Sequence, residues 1–160
     1  MRKFMKIAVG VCVAAVLSTG ASAATLTAPI AVTASVAASC SFGASALAFG
    51  AYTGSITDVN ASVTANCILG TTYTIALNPG VAPGATTTTR KLVSGANTIA
   101  YSLYSDSGHT VNWGNITGTD TVAGSGSGGA QAYPVYGRIV AGLTPAAGSY
   151  TDTVTATITF

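Results

Sequence analysis

The most regular feature of the chain is a period of two. From Ala24 to Val36, the residues Leu26, Ala28, Ile30, Val32, Ala34 and Val36 fall on one side. Thr25, Thr27, Pro29, Ala31, Thr33 and Ser35 fall on the other. Alternation over that length predicts an extended strand with one apolar face. Pro29 has no N–H to give to a ladder, which disfavours a central place in an ordinary sheet. The last segment repeats the pattern. From Ser149 to Phe160, the residues Tyr150, Asp152, Val154, Ala156, Ile158 and Phe160 alternate with serine and threonine.

Between these two runs the pattern predicts short strands separated by turns. They fall at Ala46–Phe49, Ser62–Cys67, Thr71–Leu77, Arg90–Val93, Thr98–Tyr104, Val111–Trp113 and Ala132–Val140. Pro134 marks an edge or a bulge in the last of these. Asn78-Pro79-Gly80 and Asp106-Ser107-Gly108 are turn chemistry. Residues 81–89 are expected as a loop, and the Gly/Ser-rich residues 124–129 as a mobile one. No helical period follows the first 23 residues. About eight short strands with regular punctuation predict an all-β sandwich or barrel, in one domain without internal repeats.

The first 23 residues follow a different rule. Arg2, Lys3 and Lys6 precede an apolar run from Ile7 to Leu17, and Ala21 and Ala23 give a small-x-small ending. This is the arrangement of a cleaved export signal, about half the ~20 residues of a spanning helix. Residues 1–23 are therefore set apart as a signal peptide, with no direct membrane insertion expected of the rest. Their removal changes the charge. Residues 24–160 carry Arg90, Lys91 and Arg138 against Asp58, Asp106, Asp120 and Asp152, a net charge of −1. No basic patch remains for nucleic acid. Export also changes the reading of cysteine. Cys40 and Cys67 form an even pair in a chain sent to an oxidising compartment, which predicts a disulfide. With one histidine in the chain, a metal site is not expected.

The two alternating ends leave two readings open: Leu26–Val36 pairs within its own sandwich, or it is lent to another copy. A sandwich of this size needs a further strand beside the final one, and the sequence supplies its surplus strand at the other end. A strand lent between copies would cover an open edge that otherwise invites aggregation. Catalysis has no comparable support. Asp106 and His109 with nearby serines sit in a polar turn, four aspartates and no glutamate give few carboxylate pairs, and no phosphate-binding loop is present. Trp113, Tyr101, Tyr104, Tyr133 and Tyr136 are read as core or corner residues before a sugar-binding surface.

Several ordered motifs resemble one family. They are Cys40 with Cys67, Leu47-Ala48-Phe49-Gly50-Ala51-Tyr52, Tyr101-Ser102-Leu103-Tyr104-Ser105-Asp106, Trp113-Gly114, Val135-Tyr136-Gly137-Arg138-Ile139, and the ending from Ala147 to Phe160. Together the chain resembles the spore coat protein U domain family, which includes subunits of archaic chaperone-usher pili. The resemblance implies an incomplete immunoglobulin-like sandwich over residues 37–160, completed by a donor strand from another chain. Residues 24–36 would be the donor segment, with Leu26, Ala28, Ile30 and Val32 entering a neighbour's groove. Tyr150, Val154, Ala156, Ile158 and Phe160 would form the groove edge that a chaperone holds first. Implied partners are identical or related pilin subunits, a periplasmic chaperone and an outer-membrane usher, without cofactor. The implied role is a shaft subunit of a cell-surface fimbria. A spore or cell-surface coat protein and a small glycan-binding adhesin are the alternatives.

Overall fold

The structure is a computed structural model that describes residue 20 and residues 22–160. The expected signal peptide lies almost wholly outside these residues. The chain divides into two units, Met1–Ser35 and Val36–Phe160, and each is described by itself.

In the first unit, residues 22–35 carry no strand, although their alternation predicts one. Leu26, Ile30 and Val32 are 98%, 87% and 88% exposed. The physical reason is that alternation prepares a face for burial but supplies no partner. An unpaired strand gains neither ladder bonds nor burial to offset its lost backbone entropy.

The second unit is all-β. Its strands are β1 (Cys40–Ala44), β2 (Thr57–Cys67), β3 (Thr72–Leu77), β4 (Arg90–Ser94), β5 (Asn97–Tyr104), β6 (Val122–Ser125), β7 (Ala130–Ile139) and β8 (Ala156–Thr159). They form a five-stranded sheet in the order β1-β2-β7-β5-β4 and a three-stranded sheet in the order β6-β3-β8. Every pairing between these strands is antiparallel. The inward positions of both sheets meet in one core, with Val63, Ile75, Trp113 and Ile139 nearly inaccessible. Burying side chains of this kind contributes about 1.5–3 kcal/mol each.

Several expected boundaries shift for identifiable reasons. The strand expected at Ser62 begins at Thr57, because β7 extends the ladder to the Thr57–Ile139 pair. Residues 124–129, expected to be mobile, begin inside β6. Gly126 continues that pairing by donating to Thr71 O at 2.8 Å and accepting from Gly70 N–H at 2.9 Å. Val111–Trp113 is no strand; a single bridge joins Asn112 to Tyr104. Ala46–Phe49 is no strand either, and the last strand covers only Ala156–Thr159 of the expected Ser149–Phe160. Pro134 sits inside β7 opposite Ser62, beyond the final β5 rung at Tyr104–Tyr136. Ser62 turns its own N–H to Ser45 Oγ at 2.9 Å, so no ladder bond is asked of Pro134.

Arg90 holds the far side of the core together. It is fully buried and donates to four backbone carbonyls. Its Nε reaches Asn78 O at 2.9 Å, Nη1 reaches Thr87 O at 2.6 Å, and Nη2 reaches Leu77 O at 3.0 Å and Trp113 O at 2.8 Å. Burial pulls the guanidinium below its ordinary pKa, and Tyr101, Asp120 and Asp152 pull it back. Trp113 adds its indole N–H to Ile75 O at 3.0 Å. The expected disulfide is present, joining Cys40 to Cys67 across the first rung of the β1–β2 pair.

Candidate docking groove

Two of the stretches that lost their expected strands, Ala46–Phe49 and the final segment before β8, lie on either side of one groove. On one side, the chain leaves β2 after Ser45, whose N–H still reaches Ser62 O at 2.9 Å. Leu47 and Phe49 then point inward over β7. Gly137 makes room for them, since a Cβ there would stand 3.0–3.1 Å from both side chains. Tyr52 anchors the end of the stretch by donating to Val140 O at 2.7 Å and accepting from Leu143 N–H at 3.1 Å.

On the other side runs the final segment. Before β8 its backbone meets the rest of the unit at two places. Thr151 bridges Val93, and Thr155 O accepts from Asn78 N–H at 3.1 Å. Thr155 N–H goes to the Asn78 side chain at 2.8 Å. Thr155 thus faces β3 in the plane of the sheet. By ladder alternation the amides of Ala156 and Ile158 face the open edge of β8. That edge has no strand partner among the described residues.

The space between holds two adjoining cavities. One, of about 320 Å³, is lined by Ala44, Leu47, Val63, Leu103, Val154 and Ala156, among others. The second, of about 660 Å³, is lined by Leu47, Tyr52, Ile99, Ile139, Ser149 and Tyr150, among others. Leu47, Phe49, Leu92 and Asp152 border both. Phe49 packs its ring edge-on to Tyr101, with centroids 5.6 Å apart. The Tyr101 hydroxyl donates to Asp152 Oδ2 at 2.7 Å, and Asp152 Oδ1 accepts from Val81 N–H at 2.9 Å. Burial, and next the bond to Asp152, hold the Tyr101 phenol above its ordinary pKa. A row of open backbone groups beside an apolar trough is suited to receiving an extended peptide.

Of the residues expected at this edge, Val154 and Ala156 line the first cavity and Tyr150 the second. Ile158 is partly buried against the core and borders neither. Phe160 is 56% exposed at the chain's end. The sequence reading missed Leu47, Phe49, Leu92 and Asp152 as groove residues. The available signal was Asp152 itself, the one charged residue on the apolar face of the final alternation. Among the described residues, no three His, Cys, Asp or Glu gather as metal ligands, and no helix is long and apolar enough to cross a membrane.

Comparison with known proteins adds three findings. The Spore Coat Protein U domain profile matches residues 26–157. The chain belongs to that family. Protein U of Myxococcus xanthus is 35% identical to this Spore Coat Protein U domain over 158 residues, covering 88% of each chain. The fold is similar to that of a chain in the CsuC–CsuE chaperone–tip adhesion subunit pre-assembly complex from archaic chaperone-usher Csu pili of Acinetobacter baumannii. There the TM-score is 0.60 at 22% identity, over 78% of this chain and 40% of that one. This likeness identifies the fold as the immunoglobulin-like sandwich of such subunits.

Proposed function

We propose that this Spore Coat Protein U domain is a structural, non-catalytic subunit, the shaft subunit of a chaperone-usher fimbria built by donor-strand exchange. The observation that carries the reading is a complementary pair of features in one chain. An apolar alternating segment has its Leu26, Ile30 and Val32 side chains in solvent, and a trough bordered by Val154 and Ala156 lacks a strand. Residues 24–36 of one copy fill the groove of another, with Leu26, Ala28, Ile30 and Val32 pointing in. Burying Leu26, Ile30 and Val32 contributes about 1.5–3 kcal/mol each, and the ladder bonds close the β8 edge. A periplasmic chaperone occupies the groove first, and an outer-membrane usher catalyses the exchange. Residues 1–23 direct export, and the product stands on the cell surface. The similarity to a chain of a chaperone–subunit complex supports this reading.

A coat role is the second reading, favoured by the match to the Spore Coat Protein U domain profile. It uses the same strand exchange to build a surface layer in place of a fimbria. The test of exchange is Ile30→Asp. A carboxylate placed in an apolar trough is costly to desolvate. The variant should be captured by chaperone as the wild type is and should form no multimers. Normal multimers from Ile30→Asp would remove Ile30 from the donor face.

A further inference from the structure

We infer that Asp152 is a positioning residue for strand exchange: its carboxylate stands in for a missing ladder partner and keeps residues 150–155 extended, so that the receiving edge exists before a donor arrives. This inference rests on the donor reading above.

The final segment changes sheets on its way to Phe160. At Thr151 it is bonded to Val93 of β4, in the five-stranded sheet. Val93 N–H reaches Thr151 O at 2.8 Å, and Thr151 N–H reaches Val93 O at 3.1 Å. From Ala156 it is paired with β3, in the three-stranded sheet. Between these points no strand is paired with it among the described residues. A stretch of this kind lacks the ladder bonds that offset the entropy of staying extended. Side chains fill the gap instead. Thr153 N–H goes to Asp152 Oδ1 at 2.8 Å, and Thr155 N–H goes to Asn78 Oδ1 at 2.8 Å. The amides of Thr151, Thr153 and Thr155 are thus all engaged. By alternation those of Asp152 and Val154 face the groove, where a donor strand would take them.

Asp152 ties that stretch to fixed points. Oδ1 also accepts from Val81 N–H at 2.9 Å, and Oδ2 accepts from the Tyr101 hydroxyl at 2.7 Å. Three donors converging on one side chain suit an acceptor-only carboxylate. The turn at residues 78–81 is shaped for this approach. Gly80 has a φ of +89°, and a Cβ there would collide with the Asp152 carboxylate. The turn is itself anchored, because Asn78 O accepts from the buried Arg90 at 2.9 Å. Tyr101 is buried, and its ring meets Phe49 of the opposite wall with centroids 5.6 Å apart. Through Tyr101, Asp152 therefore sets the spacing of the two walls as well as the course of one of them.

An edge held ready lowers the cost of capture. A site that is ordered for only a fraction of the time binds more weakly by that fraction. The donor already brings an ordering cost of its own, since residues 22–35 carry no strand. Asp152 removes the accepting side's share. Once the donor is in place, its ladder holds residues 150–155 and the carboxylate adds little. Asp152 therefore acts on capture and not on retention. That separates positioning from a direct contact with the donor, which would act on retention, and from a general role in stability, which would act on the whole unit.

The test uses the full chain without its signal peptide and with Ile30→Asp, so that each copy keeps its groove and lends no strand. Freshly refolded, dilute protein is mixed with a fluorescent peptide of residues 24–36, and anisotropy gives the association and dissociation rates. Adding Asp152→Ala should slow association about tenfold and leave dissociation within about twofold. Hydrogen exchange should quicken at residues 150–155 of the empty form and stay unchanged in the filled form. Tyr101→Phe removes one of the three bonds and keeps the ring. It should slow association about threefold, and it carries the test alone if Asp152→Ala does not fold. Association as fast as with Ile30→Asp alone, a change confined to dissociation, or faster exchange spreading into β5 and β7 overturns the positioning role while the peptide still binds. A peptide that binds none of these chains, or normal multimers from Ile30→Asp, overturns the donor reading and the role of Asp152 with it.

Discussion

β7 and the final segment make an instructive pair. Both alternate, and both carry tyrosine, valine and isoleucine on the inward face. β7 is paired along its length with β2 and over three rungs with β5, and it runs as an unbroken strand. The final segment is a strand only at Ala156–Thr159, where β3 lies beside it. Upstream it rests on the Thr151 bridge and on the Asn78 side chain and amide. Residues 26–36 take the contrast to its limit, alternating strictly with no strand at all. Alternation thus encodes readiness to pair, and the partner decides whether a strand forms. In this molecule the closed flank is finished by its own sequence. The open flank has the composition of a finished one and lacks one neighbour.

The sharpest way to break that contrast is to damage the closed flank. Arg90→Ala removes the donor to four carbonyls and leaves them buried, which should cost about 3–5 kcal/mol. Chemical denaturation should show the midpoint falling by a large fraction of total stability. A loss under about 1 kcal/mol would mean that solvent reaches those carbonyls. Replacing Cys40 and Cys67 by serine should cost about 3 kcal/mol, because the bond closes a loop of a few dozen residues. An unchanged melting temperature would show that β1 is held by its ladder alone.

The open flank should respond in the opposite manner. Val154→Asp puts a charge at a partly buried groove wall, so monomer stability should fall by about 1–2 kcal/mol. Multimer formation should nonetheless be lost. A large loss of monomer stability would place Val154 in a closed core. The smallest effect is expected at the surface. Arg138→Ala breaks an exposed pair and should leave the melting temperature nearly unchanged.

Acid should act through the same surface groups. Asp58 is held below its ordinary pKa, first by the Arg138 hydrogen bond, and Asp106 is held low, first by Val111 N–H. A depressed carboxylate stabilises the fold above its unfolded pKa and loses that contribution as pH falls through the folded value. The melting temperature should therefore stay level on the way down to about pH 4 and drop below it. Asp106→Asn should flatten part of that drop. A decline beginning near neutrality would contradict these two groups as the cause.

Much of the architecture was legible because it rests on local rules. The turn at Asn78-Pro79-Gly80, the alternation of β3 and β5, and the cysteine pair all follow from residue type and spacing. The illegible parts depend on distant neighbours. Nothing near Val122 announces that β6 pairs with β3, and a Gly/Ser run reads as a loop until Gly126 is seen between Gly70 and Thr71. Arg90 reads only as the first residue of a short strand, and the convergence of Leu77, Asn78, Thr87 and Trp113 carbonyls makes it a core residue. In the groove, Val154, Ala156 and Tyr150 were visible as one face of a period of two. Leu47 and Phe49 were read as an ordinary strand, because their departure from β2 is set by the space over Gly137.

The central claim is that residues 37–160 lack a strand that residues 24–36 of another copy supply. The most direct measurement is thermal unfolding and size-exclusion chromatography of the protein shortened to residues 37–160, with and without a synthetic peptide of residues 24–36. The account predicts an unstable or aggregating protein alone and a stable one-to-one complex with the peptide. A stable monomer that ignores the peptide would contradict it.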